Sequence, residues 1–541
     1  MSSLQPPGGT RRHDLDALRA IAMLLGLVLH AMISFLPGDG FWAVSDSQSR
    51  AYFGVILDAI HGFRMPLFFF LSGYFTMMLY RRRGLRSLLE HRTRRILLPL
   101  LVAWMTVVPA MRLVSAWARS DAAAQRRINR DGGEPANATS TRGASTEPAS
   151  KSIDPADVDI WMAAALGKKR WVIDRLESGV PVDAREPNRE STPLLMACLF
   201  GRYQVAQTLI ERGADPTAAN LDRATPVSIL DLDWGTTQAI AGMIEVPVDK
   251  AAVLGGRKKI RQSLPKDLVN SDNAPPGYIK LYYLLTYANF FDHLWFLNFL
   301  CWLVAGFALA VAMVRLFRVR QWSLLRTVFG TAAIYAVVVP ATFITIALMA
   351  PGGFGPNTSV GLLPMPSVLV YYAVFYFAGV LFFDADGGAR SRSRLGRWWW
   401  GLIAAGLLIA FPLGREQTSW WDDRSARWLA QSIYAWLMTV GCMGMFRRWA
   451  SAENHTMRYL SDASYWVYLI HLPLVIGFQH VVRNWQLPPE LKCLGVIAVV
   501  TLIAMLSYQW LVRYTFIGAM LNGRKHRPAA TVRGGEASVA T

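Results

Sequence analysis

The chain predicts an all-α polytopic membrane protein of about ten transmembrane helices, with a small ankyrin-repeat-like helical insert between spans three and four. Three observations predict it. Of its 541 residues 53% are hydrophobic, more than ordinary soluble domains carry. Apolar runs recur at the length of about 20 residues that a bilayer core requires. Between Trp117 and Lys280 that pattern stops, and a different periodicity replaces it.

The spans are expected at 15–36, 55–80, 96–115, 291–314, 326–349, 364–383, 398–413, 428–446, 462–482 and 491–513. The first is full span length and lacks a small-residue cleavage site, so it reads as an uncleaved anchor. The net charge is +19, but the basic residues sit mainly in short connections. They include Arg81, Arg82, Arg83, Arg86, Arg92, Arg94 and Arg95 between spans two and three, and Arg315, Arg318, Arg320 and Arg326 between four and five. Arg390, Arg392, Arg394 and Arg397, then Arg447, Arg448 and Arg458, then Arg524, Lys525 and Arg527 continue the alternation. This is the positive-inside pattern of a cytoplasmic (inner) membrane protein and leaves no reason to invoke nucleic acid. Both termini are then expected inside. Arg415, Arg424 and Arg427 after span seven weaken the contrast. The four cysteines, Cys198, Cys301, Cys442 and Cys493, show no spacing of metal-ligand or disulfide type.

The membrane domain is read as 10–118 and 280–520, with a flexible linker at 119–156, the insert at 157–248 and a cytoplasmic tail at 521–541. In the insert, Thr192-Pro193-Leu194 recurs as Thr225-Pro226-Val227, and Glu177-Ser178-Gly179 as Glu211-Arg212-Gly213. A period of about 33 residues with a Thr-Pro-Leu phrase is the mark of ankyrin repeats. Ala197 and Gly201 stand where the inner helix and its turn need small residues, and Leu209 and Ile210 fall on the outer helix. A short array is either a recognition surface, for a protein or a glycan, or a spacer. Following span three, it is expected in the periplasm.

Ionisable groups inside spans are expensive and default to function. Arg19 and His30 lie eleven residues apart in LDALRAIAMLLGLVLH, which puts them within about 20° on one helix face and roughly 16 Å apart along it. Asp14, Asp16, Arg19, Arg92 and Arg95 form a set on the cytoplasmic side. Arginine pairs suit phosphates, although positive-inside clustering also accounts for Arg92 and Arg95. A second set lies near the outer side: Asp58, His61 and Arg64 at spacings of three, with Asp292 and His293. An ion-paired structural cluster is the alternative there. His471 reads as a lone histidine with a packing role. Together these describe group transfer from an anionic cytoplasmic donor to an external acceptor.

The motifs carry a resemblance. LDALRAIAMLLGLVLH, IHGFRMPLFFFLSGYF, the Arg92-x-x-Arg95 pattern leading into ILLP, DHLWFL from Asp292, and more weakly SYWVYLIHLPL occur in this order. In combination they resemble the acyltransferase-3 family of integral-membrane acyltransferases, in particular its periplasmic-glucan branch. The insert departs from the usual family layout. The resemblance implies an enzyme taking an acyl group from cytoplasmic acyl-coenzyme A, succinyl-CoA or acetyl-CoA, to a hydroxyl of a periplasmic glucan or surface polysaccharide. It implies no tightly bound cofactor and no metal. His30 becomes the catalytic candidate, and Arg19, Arg92 and Arg95 candidates for the coenzyme's phosphates. Asp58, His61, Arg64 and His293 are candidates for positioning acceptor or acyl group, Arg64 for a succinyl carboxylate. A sugar hydroxyl is a poor nucleophile at neutral pH, and an imidazole can take its proton as the new bond forms. Transfer through an acyl-histidine stays open beside direct transfer. The competing readings are O-acetylation of surface polysaccharide, a transporter, for which internal repeats and broken helices are not evident, and a membrane-tethered ankyrin scaffold.

Overall fold

The computed structural model describes residues 12–37, 42–131, 158–317, 334–385, 397–415 and 424–523, less 187–188, 221–223, 233, 245, 247, 266–267, 269–276, 350 and 352. The loop residues Arg318, Arg320, Arg326, Arg390, Arg392, Arg394, Arg524, Lys525 and Arg527, most of the linker and nearly all of the tail lie outside them. The described residues are helical with no strand, and they form two compact units, one of 1–37, 43–121 and 289–541, the other of 38–42 and 122–288.

Among the described residues of the first unit, seven helical stretches are long and apolar enough to cross a membrane. One is a run of 70 residues, Tyr52–Asp121, which at 1.5 Å per residue would be about 105 Å long, far beyond one bilayer. It is broken at Gly84, whose φ of 76° and ψ of 176° are not helical, and so supplies spans two and three. Two shorter apolar helices, Tyr335–Met349 and Trp399–Arg415, fall where spans five and seven were expected. The remaining spans are His13–Phe35, Asp292–Leu316, Pro366–Phe383, Arg424–Trp449, His455–Val482 and Pro489–Val512. Span nine starts before the expected residue 462 because Asn454 caps it, accepting from the Thr456 and Met457 amides at 2.9 and 3.2 Å.

Spans one and nine lie side by side and run the same way. Arg19 Nη2 donates to Ser461 Oγ at 3.0 Å. Further along, the rings of His30 and His471 meet at 5.3 Å. Beyond them Gln479 Nε2 donates to the carbonyls of His30 and Ala31, both at 3.0 Å. Parallel course requires an odd number of crossings between the two spans. Counting Tyr52–Asp121 as two crossings, and the two short helices as a pair, meets that requirement; counting the long run as one does not.

Spans two and six approach backbone to backbone. A side chain at Gly73 would overlap the Tyr376 carbonyl, and one at Gly379 the Phe70 carbonyl, so small residues set this spacing as in other membrane helix pairs. Phe69 packs between them against Phe296 at 5.0 Å and Tyr372 at 4.5 Å. It thereby draws the start of span four against span two. At one end of the unit Lys492 and Asp46 form a buried ion pair, and Arg483 binds Asp121 at 2.9 Å.

The second unit contains helices Ile160–Leu166, Lys169–Glu177, Pro193–Leu199, Tyr203–Glu211, Trp234–Met243 and Lys250–Ser263. Thr192 caps the third, accepting from Leu195 N at 3.2 Å, with Pro193 in the first turn where its missing N–H costs nothing. Ala197 and Leu209 are fully buried. Gly201 sits at φ 63° against the Val253 carbonyl, a place only glycine fills without strain. Past residue 248 the helix Lys250–Ser263 adds Ile260 and the following Leu264 to this core. Its Arg257, 3% exposed, donates to the carbonyls of Leu199 and Leu232 and to Thr237 Oγ1.

Candidate active site

Three elements bring three imidazoles together. His30 ends the first helix, His293 lies in the turn Asp292–Leu294 ahead of span four, and His471 stands midway along span nine. His471 lies 5.3 Å from His30 and 5.5 Å from His293, centroid to centroid. The turn that delivers His293 begins at Asp292, whose φ is 46°. That left-handed geometry costs a non-glycine residue energy and is tolerated best by Asp and Asn. Asn289 Oδ1 accepts from the Asp292 amide at 3.0 Å, and Arg112 pairs with the Asp292 carboxylate at 3.5 Å. Asp292 thus shapes the turn.

Arg64 reaches the same cluster from span two. Its Nη1 rests on Gly26, one helical turn before His30, where a Cβ would come within 2.7 Å. Its Nε has no hydrogen-bond partner among the described residues, and the hydroxyl-bearing rings of Tyr372 and Tyr468 lie close enough to interact with it. Tyr468 in turn donates its hydroxyl to the His293 carbonyl at 2.8 Å.

The spacing of Asp58, His61 and Arg64 suggested one stripe, and the structure distributes it among three partners. Asp58 pairs with Arg415 at 2.9 Å. His61 Nε2 lies 3.0 Å from the Pro356 carbonyl. Arg64 lies close enough to His30 and His471 to act on both, and His61 is also within electrostatic reach of His30. The sequence reading left His471 outside the site, because one histidine in an apolar span gives no hint of what faces it. The only sequence signal was its position in SYWVYLIHLPL.

At the other end of span one lies a cationic group. Arg92 and Arg95 each stand close enough to Arg19 to feel its charge. Arg19 also contacts Asp16 at 3.7 Å and lies 5.9 Å from the Phe75 ring. Arg92 Nη2 donates to Thr76 Oγ1 at 2.9 Å, and Arg95 Nη1 meets His91 Nε2 at 3.1 Å. The Nε atoms of Arg92 and Arg95 have no partner among the described residues. Asp14 is taken by Arg12 at 2.8 Å. Three guanidinium groups therefore share a small volume, with the carboxylates of Asp16 beside Arg19 and of Asp462 within electrostatic reach of Arg95. Such an arrangement suits an anion with several oxygens.

Segments of the chain match two kinds of known domain. Residues 189–221 match an ankyrin repeat. Over 100 residues the chain is 37% identical to glucans biosynthesis protein C of Escherichia coli strain K12, covering 18% of this chain and 26% of that protein. The same protein of E. coli strain SMS-3-5 is 36% identical over the same shares. The chain thus matches about a quarter of the length of these curated relatives. No solved structure matches it significantly. The acyltransferase domain matches at residues 12–125 and 263–509, which takes in the histidine cluster and the arginine group alike, and the chain therefore belongs to the acyltransferase-3 family.

Proposed function

We propose that the protein is a membrane O-acyltransferase that moves an acyl group, succinyl or acetyl, from acyl-coenzyme A on the cytoplasmic side to a hydroxyl of a carbohydrate on the other side. A periplasmic glucan is the favoured acceptor, with surface polysaccharide second. The observation that carries the reading is one unbroken helix, His13–Met32, with a cationic group around its start and an imidazole cluster at its end. Arg19, Arg92 and Arg95 would hold the coenzyme's phosphates. His30 would take the hydroxyl proton as the oxygen–carbon bond forms and the carbon–sulfur bond breaks, then return it to the departing thiolate. Arg64, a donor-only group beside His30, is placed to stabilise the oxyanion that develops on the acyl carbonyl.

This reading puts both termini in the cytoplasm and the ankyrin-like unit in the periplasm of a bacterial inner membrane. Alkaline phosphatase fused at Gly143 should then be active, and a cytoplasm-dependent reporter inactive. The chemistry is tested with full-length protein in proteoliposomes, radiolabelled acetyl- or succinyl-coenzyme A, and glucan oligosaccharide as acceptor. Label in the oligosaccharide supports the proposal. Thioester consumption with no labelled carbohydrate would overturn it.

A further inference from the structure

Backbone carbonyls fix two of the three imidazoles. A carbonyl can only accept, so His293 Nε2, 3.1 Å from the Leu469 carbonyl, carries the ring proton, and Nδ1 keeps a lone pair. Likewise His471 Nδ1 donates to the Tyr468 carbonyl at 2.7 Å, which leaves the lone pair on Nε2. Neither His293 Nδ1 nor His471 Nε2 has a hydrogen-bond partner among the described residues. Both side chains are buried, at 8% and 3% exposure.

Buried polar atoms in native proteins are nearly always paired. Two orphaned acceptors on rings 5.5 Å apart and perpendicular therefore call for a ligand with two donors. The chemistry narrows the choice. A thioester carbonyl or a carboxylate offers only lone pairs and would meet lone pairs. An ammonium group donates, but Arg64 already places a cation in the cluster. Neutral hydroxyls donate without charge, and hydroxyls on adjacent carbons present two donors at a spacing that neighbouring rings can accept.

We infer that His471 and His293 form a vicinal-diol subsite for the carbohydrate acceptor, one hydroxyl held by His471 Nε2 beside His30 and its neighbour by His293 Nδ1. The subsite binds and orients, while bond making stays with His30. The inference rests on the O-acyltransferase reading only for the fate of the bound hydroxyl.

Binding of methyl glucoside, and of analogues lacking one ring hydroxyl at a time, to full-length protein in nanodiscs tests it. His293→Gln keeps an N–H for the Leu469 carbonyl and loses Nδ1; His471→Asn keeps an N–H for the Tyr468 carbonyl and loses Nε2. Each should weaken glucoside binding roughly tenfold, the loss of one net hydrogen bond, at unchanged melting temperature. In His293→Gln one deoxy analogue should now bind as well as the parent sugar. The reciprocal pair, His293→Asn and His471→Gln, gives up the carbonyl bond but retains an acceptor, and should bind more tightly than the first pair. The reverse order, unchanged affinity in the first pair, or wild-type protein that does not distinguish the glucoside from its deoxy analogues would overturn the subsite and leave the two lone pairs to water. Discrimination among sugars without acyl transfer from any thioester would keep the subsite and remove the transferase reading; transfer without discrimination would do the opposite.

Discussion

Arg257, buried in the ankyrin-like unit, and Arg64, half-buried in span two, meet their surroundings in opposite ways. Arg257 spends its donors on two backbone carbonyls and a threonine hydroxyl. Arg64 keeps an Nε with no partner among the described residues, and the acid nearest to it in sequence, Asp58, is held by Arg415. A saturated arginine closes a fold, because every group it touches would be orphaned by its loss. An unsaturated one whose Nε is shut off from solvent stores binding capacity at the expense of stability. The same contrast separates the two units. In the insert the buried polar groups serve packing, and in the spans several are left open where chemistry is proposed.

The sharpest way to break this contrast is at its centre. His30→Ala should lower acyl transfer by about a hundredfold to ten-thousandfold, the usual worth of a positioned base. The protein should still insert, since an apolar residue at that depth favours the membrane. Normal transfer at normal abundance would take His30 out of the mechanism.

Paired arginine variants come next. Arg64→Gln should cut kcat by about tenfold to a hundredfold with little change in melting temperature, as expected for a group that acts on the transition state. Arg257→Gln should do the reverse, destabilising the insert by about 3 kcal/mol, seen as faster proteolysis between 158 and 264, because two carbonyls lose their donor. Exchange of these phenotypes would dissolve the distinction between the two residues. A milder effect is expected from replacing Arg92 and Arg95 by Gln, which should raise the apparent KM for acyl-coenzyme A several-fold while kcat holds, since phosphate contacts contribute mainly binding. An unchanged KM would return both residues to ordinary membrane-edge charge.

Replacing residues 120–275 by a short Gly/Ser loop should leave transfer to a small soluble sugar intact and lower modification of a glucan polymer, if the insert raises local acceptor concentration. Loss of both activities in a stably inserted variant would make the insert a support of the membrane unit. The smallest effect concerns Cys198, buried in the insert, where burial pushes the thiol up to about 12. Maleimide labelling of Cys198 should stay near zero through pH 8 in native protein and appear on unfolding. Because the folded thiol holds its proton longer than the unfolded one, the insert should lose stability as pH rises above about 9. Ready labelling of native protein would show that this core is open.

Much of the fold was legible because span length and loop charge are local properties. The same holds for Arg19 and His30, whose spacing on one helix needs no tertiary knowledge. The break at Gly84 was not, since a lone glycine inside a basic loop looks like any other. Asp58, His61 and Arg64 were legible as a set but not as to partners. Arg415 is 357 residues away from Asp58, and the Pro356 carbonyl that receives His61 carries no side-chain signature. The placement of His471 beside His30 was not legible for the same reason. It depends on span nine lying parallel to span one, a relation between two helices that neither sequence states.

The unbroken helix from His13 to Met32 has one more consequence. It fixes the rise between Arg19 and His30 at roughly 16 Å, so in the proposed reaction span one would work as a ruler. On the proposed roles, a donor whose reactive carbonyl hangs from its phosphates on an arm of about that reach would satisfy both ends at once. An acyl phosphate or an acyl adenylate, whose carbonyl adjoins the phosphate, would be too short, and substrate choice would be measured in length before it is read in chemistry.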